Sequence, residues 1–161
     1  MLLIGSASDF KHVGKALEVL DQLGISCRLH VSSAHRTPER TVDLVRTAER
    51  EGCKVFICAA GMAAHLAGAV AAHTVRPVLG VPLPGGLLDG VDALLSTVQM
   101  PPGIPVATLA VGSAGARNAA FLAAQIIALE RPEVAQALHS VRDAELEKIV
   151  AAERELAGDG G

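Results

Sequence analysis

Five short apolar runs, each leading into a small or polar loop and then into helical spacing of Leu, Val and Ala, leave this chain few folds to choose from. Leu2-Leu3-Ile4 stops at Gly5-Ser6-Ala7-Ser8-Asp9. Phe10, Val13, Leu17, Leu20 and Leu23 then recur at helical intervals until Gly24. Ser26 to Ser32 alternates as a second strand, with Cys27, Leu29 and Val31 on one face, and Val42, Leu44, Val45 and Ala48 mark a helix ending at Gly52. Lys54-Val55-Phe56-Ile57-Cys58-Ala59 is nearly continuous in its apolar character, as the middle of a parallel sheet requires. An alanine-rich helix follows the Gly61–His65 loop and runs to about His73. Pro77 to Pro82 reads as the fourth strand, Asp89 to Val98 as a short helix, and Val106 to Val111 as the fifth strand.

Strands alternating with helices in this way predict an α/β, three-layer, doubly wound domain with a central parallel five-stranded sheet. Right-handed crossovers and the common order 2-1-3-4-5 place the switch point between the first and third strands, and ligands of such sheets bind at the carboxyl ends beside it. Gly5–Asp9, Ser33–Pro38 and Ala60–His65 converge there. They are also the loops richest in Ser, His, Arg and Gly.

Gly112-Ser113-Ala114-Gly115 opens a long helix, Ala116 to Glu130, that is apolar on nearly all sides and is expected to be buried. Pro132 breaks it. The last helix carries Val134, Leu138, Val141, Glu145, Ile149 and Leu156 on one stripe. At ~1.5 Å per residue it is roughly 35 Å long, more than a domain of this size covers, and it is expected to reach a partner chain. The chain is therefore expected to be a single domain over 1–161, with a core over about 1–131 and an oligomerisation helix over about 133–157.

Composition removes several classes of function. The formal net charge of −3, with no Trp or Tyr and three Phe, supplies neither a cationic footprint nor stacking platforms for nucleic acid. Cys27, Cys53 and Cys58 form no C-x-x-C pair and read as small buried hydrophobes in a reducing compartment. No segment has the pattern of a signal peptide, and no uninterrupted apolar run reaches the ~18 residues of a membrane span. The expectation is a cytoplasmic protein with no membrane partner. His12, His30, His73 and His139 are scattered, without an H-E-x-x-H pattern, so no metal site is expected.

The most informative stretch is Ser33-Ala34-His35-Arg36-Thr37-Pro38. Thr37 can cap the following helix, and Pro38 suits its first position, where a missing N–H costs nothing. His35 and Arg36 then project from a loop held at both ends. An imidazole exchanges protons near neutrality, and a guanidinium suits bidentate contact with a phosphate or carboxylate. The Gly5–Asp9 loop before a helix is a place for an anion, although Ser8 or Asp9 would serve equally as a helix cap. His65 could bond a substrate, or cap a helix, or sit in an interface.

These residues resemble a known family. Gly5-Ser6-Ala7-Ser8-Asp9 is similar to the G-S-x-S-D loop, and Ser33–Pro38 to the S-A-H-R-T-P loop, of the 5-(carboxyamino)imidazole ribonucleotide mutases, the class I phosphoribosylaminoimidazole carboxylase catalytic subunits. Ala63-Ala64-His65-Leu66, Pro77–Pro82, Gln99-Met100-Pro101 and Gly103–Val106 match in order, from Leu2 to about Leu129. A related class that carboxylates aminoimidazole ribonucleotide directly with carbon dioxide carries S-A-H-K and G-R-S-N instead. Arg36 and Gly61-Met62-Ala63-Ala64-His65 favour the mutase class.

The resemblance implies a flavodoxin-like catalytic domain assembled as a homo-octamer. It implies a reaction without cofactor or metal, in which carbon dioxide is a trapped intermediate. It implies His35 as general acid/base, with Ser6, Asp9 and Arg36 binding a small-molecule ribonucleotide. His65 and the Gly61–Ala64 backbone, Ala64 included, would line the carboxylate end, and Ser8, Ser33, Ala34 and Leu66 would complete the substrate contacts. Met62, where the family often has a smaller residue, and Ala67, where it has proline, depart from the pattern near that end, and the Pro84-Gly85-Gly86 turn is in a variable segment.

Overall fold

A computed structural model describes residues 1–158; residues 159–161, which the single-domain expectation included, lie outside the described residues. The strands are β1 (Leu2–Ile4), β2 (Leu29–Val31), β3 (Phe56–Gly61), β4 (Val78–Leu83) and β5 (Ala107–Thr108). They form one parallel sheet in the order β2-β1-β3-β4-β5, as the alternation predicts. After a one-turn 3-10 segment at Ala7–Asp9 come the helices α1 (Phe10–Gln22), α2 (Pro38–Arg50), α3 (Leu66–Ala71), α4 (Val91–Val98), α5 (Gly112–Ala128) and α6 (Pro132–Gly158).

Period-two alternation divides the strands between two cores. Leu2, Ile4, Ile57, Ala59, Leu79, Val81 and Leu83 face α1, α5 and the start of α6. Leu3, Phe56, Cys58 and Val78 face α2 and α3. Burial on both faces explains why β3 and β4 read as continuous apolar runs. Alanines at 116, 119, 120, 123 and 124 are all buried in α5, and their small side chains let it lie close to α1 and the sheet.

Several boundaries differ from the sequence expectation, each for a local reason. The second strand shortens from Ser26–Ser32 to Leu29–Val31, because it is an edge and pairs only with the three residues of β1. The fifth, also an edge, shortens from Val106–Val111 to Ala107–Thr108. The third helix stops at Ala71 rather than His73. The fourth begins at Val91, since Asp89 (φ 45°) and Gly90 (φ 99°) are left-handed and cannot start a helix. The fifth begins at Gly112, not Ala116. A Cβ on Gly115 would overlap the Ala110 carbonyl, so glycine lets the first turn press against the connection that follows β5. Thr37 occupies the N-cap position of α2, but its hydroxyl turns back to the Ser33 carbonyl at 3.1 Å instead of capping a helical N–H.

The α6 stripe behaves in two ways. Val134 and Leu138 are buried, whereas Ile149 and Leu156 are exposed. No helix among the described residues is long and apolar enough to cross a membrane.

Gly80, in the middle of β4, is required by packing. A Cβ there would overlap the Thr97 methyl of α4 and lie 2.8 Å from Val106 Cγ1. Gly80→Ala is expected to lower stability by about 1–3 kcal/mol through overpacking. Gly14→Ala, inside α1 with only ordinary 3.7 Å contacts to Phe10, is expected to raise it by about 0.5–1 kcal/mol. Urea denaturation of both variants checks the opposite signs.

Candidate active site

The right-handed crossovers carry α1 to one face of the sheet and α2 to the other, and the connections part at the carboxyl ends of β1 and β3. A cleft of about 540 Å³ opens there. The Gly5–Asp9 loop, the Ser33–Arg36 loop and the Ala60–Ala63 segment line it. Leu66 forms part of its wall, and Pro84, Gly85 and Gly86 close one side.

The loop carrying His35 is braced from within. The Ser33 N–H donates to Thr37 Oγ1 at 3.0 Å, and the Thr37 N–H donates to the Ser33 carbonyl at 2.8 Å. The Arg36 N–H reaches Ser33 Oγ at 3.3 Å. Beneath it, the Ser32 and Thr41 hydroxyls share a buried hydrogen bond of 2.8 Å, and the Ser32 N–H donates to the Ile4 carbonyl at 2.9 Å. Ala34 packs onto the core beside α2. His35 and Arg36 are left as the exposed members of a fixed turn.

Arg36 Nη2 donates to the Gly5 carbonyl at 3.3 Å, which joins the second loop to the first. In the first loop the Ser6 N–H donates to Asp9 Oδ2 at 2.9 Å, and the Ser8 hydroxyl donates to Ser6 Oγ at 3.0 Å. Burial pushes the Asp9 carboxyl above the usual carboxylate range. The Ser6 N–H and the neighbouring His12 and Lys11 oppose this without cancelling it. The cleft therefore holds a partly desolvated acid and a guanidinium whose hydrogen-bond partner is a neutral carbonyl.

His65 enters the site through His35. Its Nδ1 lies 2.8 Å from His35 Nε2, and the rings meet edge to face at 78° with centroids 4.9 Å apart. One ring must donate and the other accept, so the contact holds a single proton between two imidazoles. Ala64 is buried; its N–H donates to the Met62 carbonyl at 2.9 Å, and its carbonyl accepts from Thr97 Oγ1 at 3.5 Å. Gly61 ends β3, where a Cβ would approach the Leu83 carbonyl at 3.4 Å.

Sequence reasoning did not identify Gly5 as the acceptor for Arg36, or Pro84–Gly86 as a wall. The signal for the wall was a Pro-Gly-Gly turn directly after a strand that ends beside the switch point. The described residues contain no group of three or more His, Cys, Asp or Glu side chains able to hold a metal ion. A larger groove of about 1130 Å³ opens near the amino ends of β4 and β5. Leu79, Ile104, Leu122 and Ile126 make it largely apolar, and Thr74 there is already bonded to Glu49 at 2.6 Å. That groove also carries His73 and Arg76 at its rim, but the smaller cleft is the one at the carboxyl ends of the strands, where His35, Arg36 and Asp9 meet.

Comparison with known proteins gives the family and the fold. The chain is 47% identical over 149 residues to the N5-carboxyaminoimidazole ribonucleotide mutase of Pseudomonas aeruginosa, covering 92% of this chain and 91% of that one. It is 51% identical over 127 residues to the enzyme of the same name from Haemophilus influenzae, covering 79% of this chain and 77% of the relative. Among solved structures, Treponema denticola PurE superposes with a TM-score of 0.87 at 31% identity, covering 96% of each chain. The AIR carboxylase family pattern matches residues 1–148, so the chain belongs to the AIR carboxylase family.

Proposed function

We propose that this chain is an N5-carboxyaminoimidazole ribonucleotide mutase of purine biosynthesis, an isomerase that moves a carboxylate from the exocyclic nitrogen of its substrate to ring carbon C4. The observation that carries the reading is the meeting of the His35–His65 pair, Arg36 and Asp9 at one cleft. Neither Arg36 nor His35 is buried in the fold, so the fold alone does not require them. The curated relatives that bear this name cover nearly the whole chain.

In this reading the phosphate of the ribonucleotide replaces the Gly5 carbonyl as the partner of Arg36. Asp9 accepts hydrogen bonds from the ribose hydroxyls, and Ser6 and Ser8 exchange their mutual bond for substrate contacts. The carbamate N–C bond then breaks and releases carbon dioxide. Its electron pair returns to the nitrogen, which takes a proton from His35. The electron-rich ring attacks carbon dioxide through C4 and forms the new C–C bond. C4 then gives its proton back to His35, and the ring recovers its aromaticity.

One imidazole serves both steps because they are sequential. His65 decides which nitrogen of His35 carries the proton before each transfer. Holding carbon dioxide beside C4 replaces an encounter with dilute gas and is worth ~7–11 kcal/mol. No metal or cofactor is invoked. The reaction is placed in the cytoplasm, and the exposed distal part of α6 is assigned to contacts within a homo-octamer.

Supplied with the carbamate substrate alone, without bicarbonate or ATP, the protein is expected to form the 4-carboxylate. Product only from aminoimidazole ribonucleotide and high bicarbonate would identify a direct carboxylase instead. His35→Asn is expected to keep its circular dichroism and lose about 10²–10⁴-fold in kcat. Wild-type turnover in that variant would remove the acid/base role.

Asp9 gives a pH-dependent test. Its folded-state pKa is raised by burial, so its charge opposes folding once the pH is above that value, and the penalty vanishes below the unfolded pKa of about 3.9. Asp9→Asn is therefore expected to melt higher than wild type at pH 7, with the gap closing toward pH 4, while substrate affinity falls about tenfold or more. Light scattering of the full chain is expected to report about eight times its 16.5 kDa mass, and truncation after Val141 is expected to lower the number of subunits.

A further inference from the structure

The contact between His35 and His65 has a chemical capacity beyond the movement of protons. It is the one place among the described residues where two imidazole rings meet. Both residues are exposed, so ions in solution reach them. Each ring also stands on a fixed backbone. The His35 turn is held by the bonds between Ser33 and Thr37. The His65 N–H donates to the Ala63 carbonyl at 2.8 Å, and the His65 carbonyl accepts the Ala69 N–H at 2.8 Å. Two ring nitrogens brought together by separately anchored loops are preorganised, as a chelating pair requires.

A bond between two neutral imidazoles needs a proton on one facing nitrogen and a lone pair on the other. When the donor ring carries its proton on its other nitrogen instead, both facing nitrogens present lone pairs, and such nitrogens are common ligands for transition metals. Their separation selects the coordination geometry. At metal–nitrogen distances of about 2.0–2.1 Å, ligands at a right angle stand roughly 3.0 Å apart, and tetrahedral ligands roughly 3.3 Å or more. The observed 2.8 Å is closer to the right-angled value. Rings inclined at 78° occupy such neighbouring positions without their edges colliding. Neighbouring nitrogens with oxygen in the remaining positions suit tetragonal Cu²⁺ or Ni²⁺. Water supplies that oxygen, because the described residues bring no third His, Cys, Asp or Glu to the pair. The nearby Arg36 is turned to the Gly5 carbonyl, and the cleft also holds the Asp9 carboxyl.

We propose that His35 Nε2 and His65 Nδ1 form a bidentate inhibitory site for a divalent transition-metal ion of the Ni²⁺ or Cu²⁺ kind, which takes the place of the proton they share. The bound ion occupies the lone pair through which His35 exchanges its proton, so turnover stops until the ion leaves. With two protein ligands the ion is exchangeable, and a chelator removes it. The binding rests on the geometry of the pair alone, whereas the inhibition rests on the mutase reading.

The untagged full chain is titrated with nickel chloride and, separately, with zinc chloride by calorimetry in a non-coordinating buffer. Ni²⁺ is expected to bind once per chain, more tightly than Zn²⁺, and to raise the melting temperature by stitching two loops together. Product formation from the carbamate is expected to fall in step with Ni²⁺ occupancy and to return on addition of EDTA. His65→Gln and His35→Gln are each expected to weaken Ni²⁺ by roughly tenfold or more, since loss of a ligand costs at least what loss of a ligand's supporting partner does. His73→Gln, which alters an exposed histidine at the amino-end groove, is expected to leave the affinity unchanged. Wild-type Ni²⁺ affinity in both pair variants would overturn the site, and tighter binding of Zn²⁺ than of Ni²⁺ would overturn its geometry. Full turnover with Ni²⁺ bound at the pair would overturn the inhibition and leave the mutase reading standing. Absence of product from the carbamate with metal-free wild type would instead overturn the mutase reading and the inhibition with it, while the binding result still decides the site.

Discussion

Right-handed crossovers force the chain to leave β1 toward one face of the sheet and β2 toward the other, and the site depends on that divergence. Where the connections part, the carboxyl ends of β1 and β3 are not covered by a helix, and three loops meet over the gap. The two hydrophobic cores hold the loops in place. Leu2 and Ile4 anchor β1 against α1 and α5, while Leu3 and Phe56 anchor it and its neighbour against α2 and α3. Loss of either core would move one wall of the cleft relative to the other.

Within the cleft, the polar groups are engaged with one another in ways a ligand can replace. Arg36 rests on a neutral carbonyl at 3.3 Å, a weak partner for a guanidinium and one that a phosphate would displace readily. Ser6 and Ser8 bond to each other. Asp9 is bonded by backbone N–H groups and is held partly desolvated. The site is preorganised, and the cost appears as a carboxyl whose charge opposes folding.

The third loop is positioned by packing on its own face of the sheet, where α3 and α4 lie side by side over β4. Gly80 lets α4 approach β4, which brings the Thr97 hydroxyl under the Ala64 carbonyl, and Ala64 lies between Met62 and His65. Packing of α4 on β4 is thereby connected to the imidazole that bonds His35. A glycine in mid-strand and a left-handed methionine look unrelated in the sequence, yet both shape one wall of the same cleft.

Much of this was legible from residue order. Period-two and helical spacing identify the sheet, and Gly24 and Gly52 end their helices in the left-handed conformation that glycine tolerates. The His-Arg turn, with Thr37 and Pro38 after it, announces a fixed loop at a helix start. These features are local, decided by sterics and hydrogen bonding among residues a few positions apart. The tertiary structure alone decided the 2.8 Å contact between His35 and His65, the rest of Arg36 on Gly5, and the reach of Met62 across Gly86. It also decided the edges of β2 and β5, which are only as long as their single neighbours allow. Those relations join residues tens of positions apart, and they exist only once two cores have set the angle at which the strands deliver their loops.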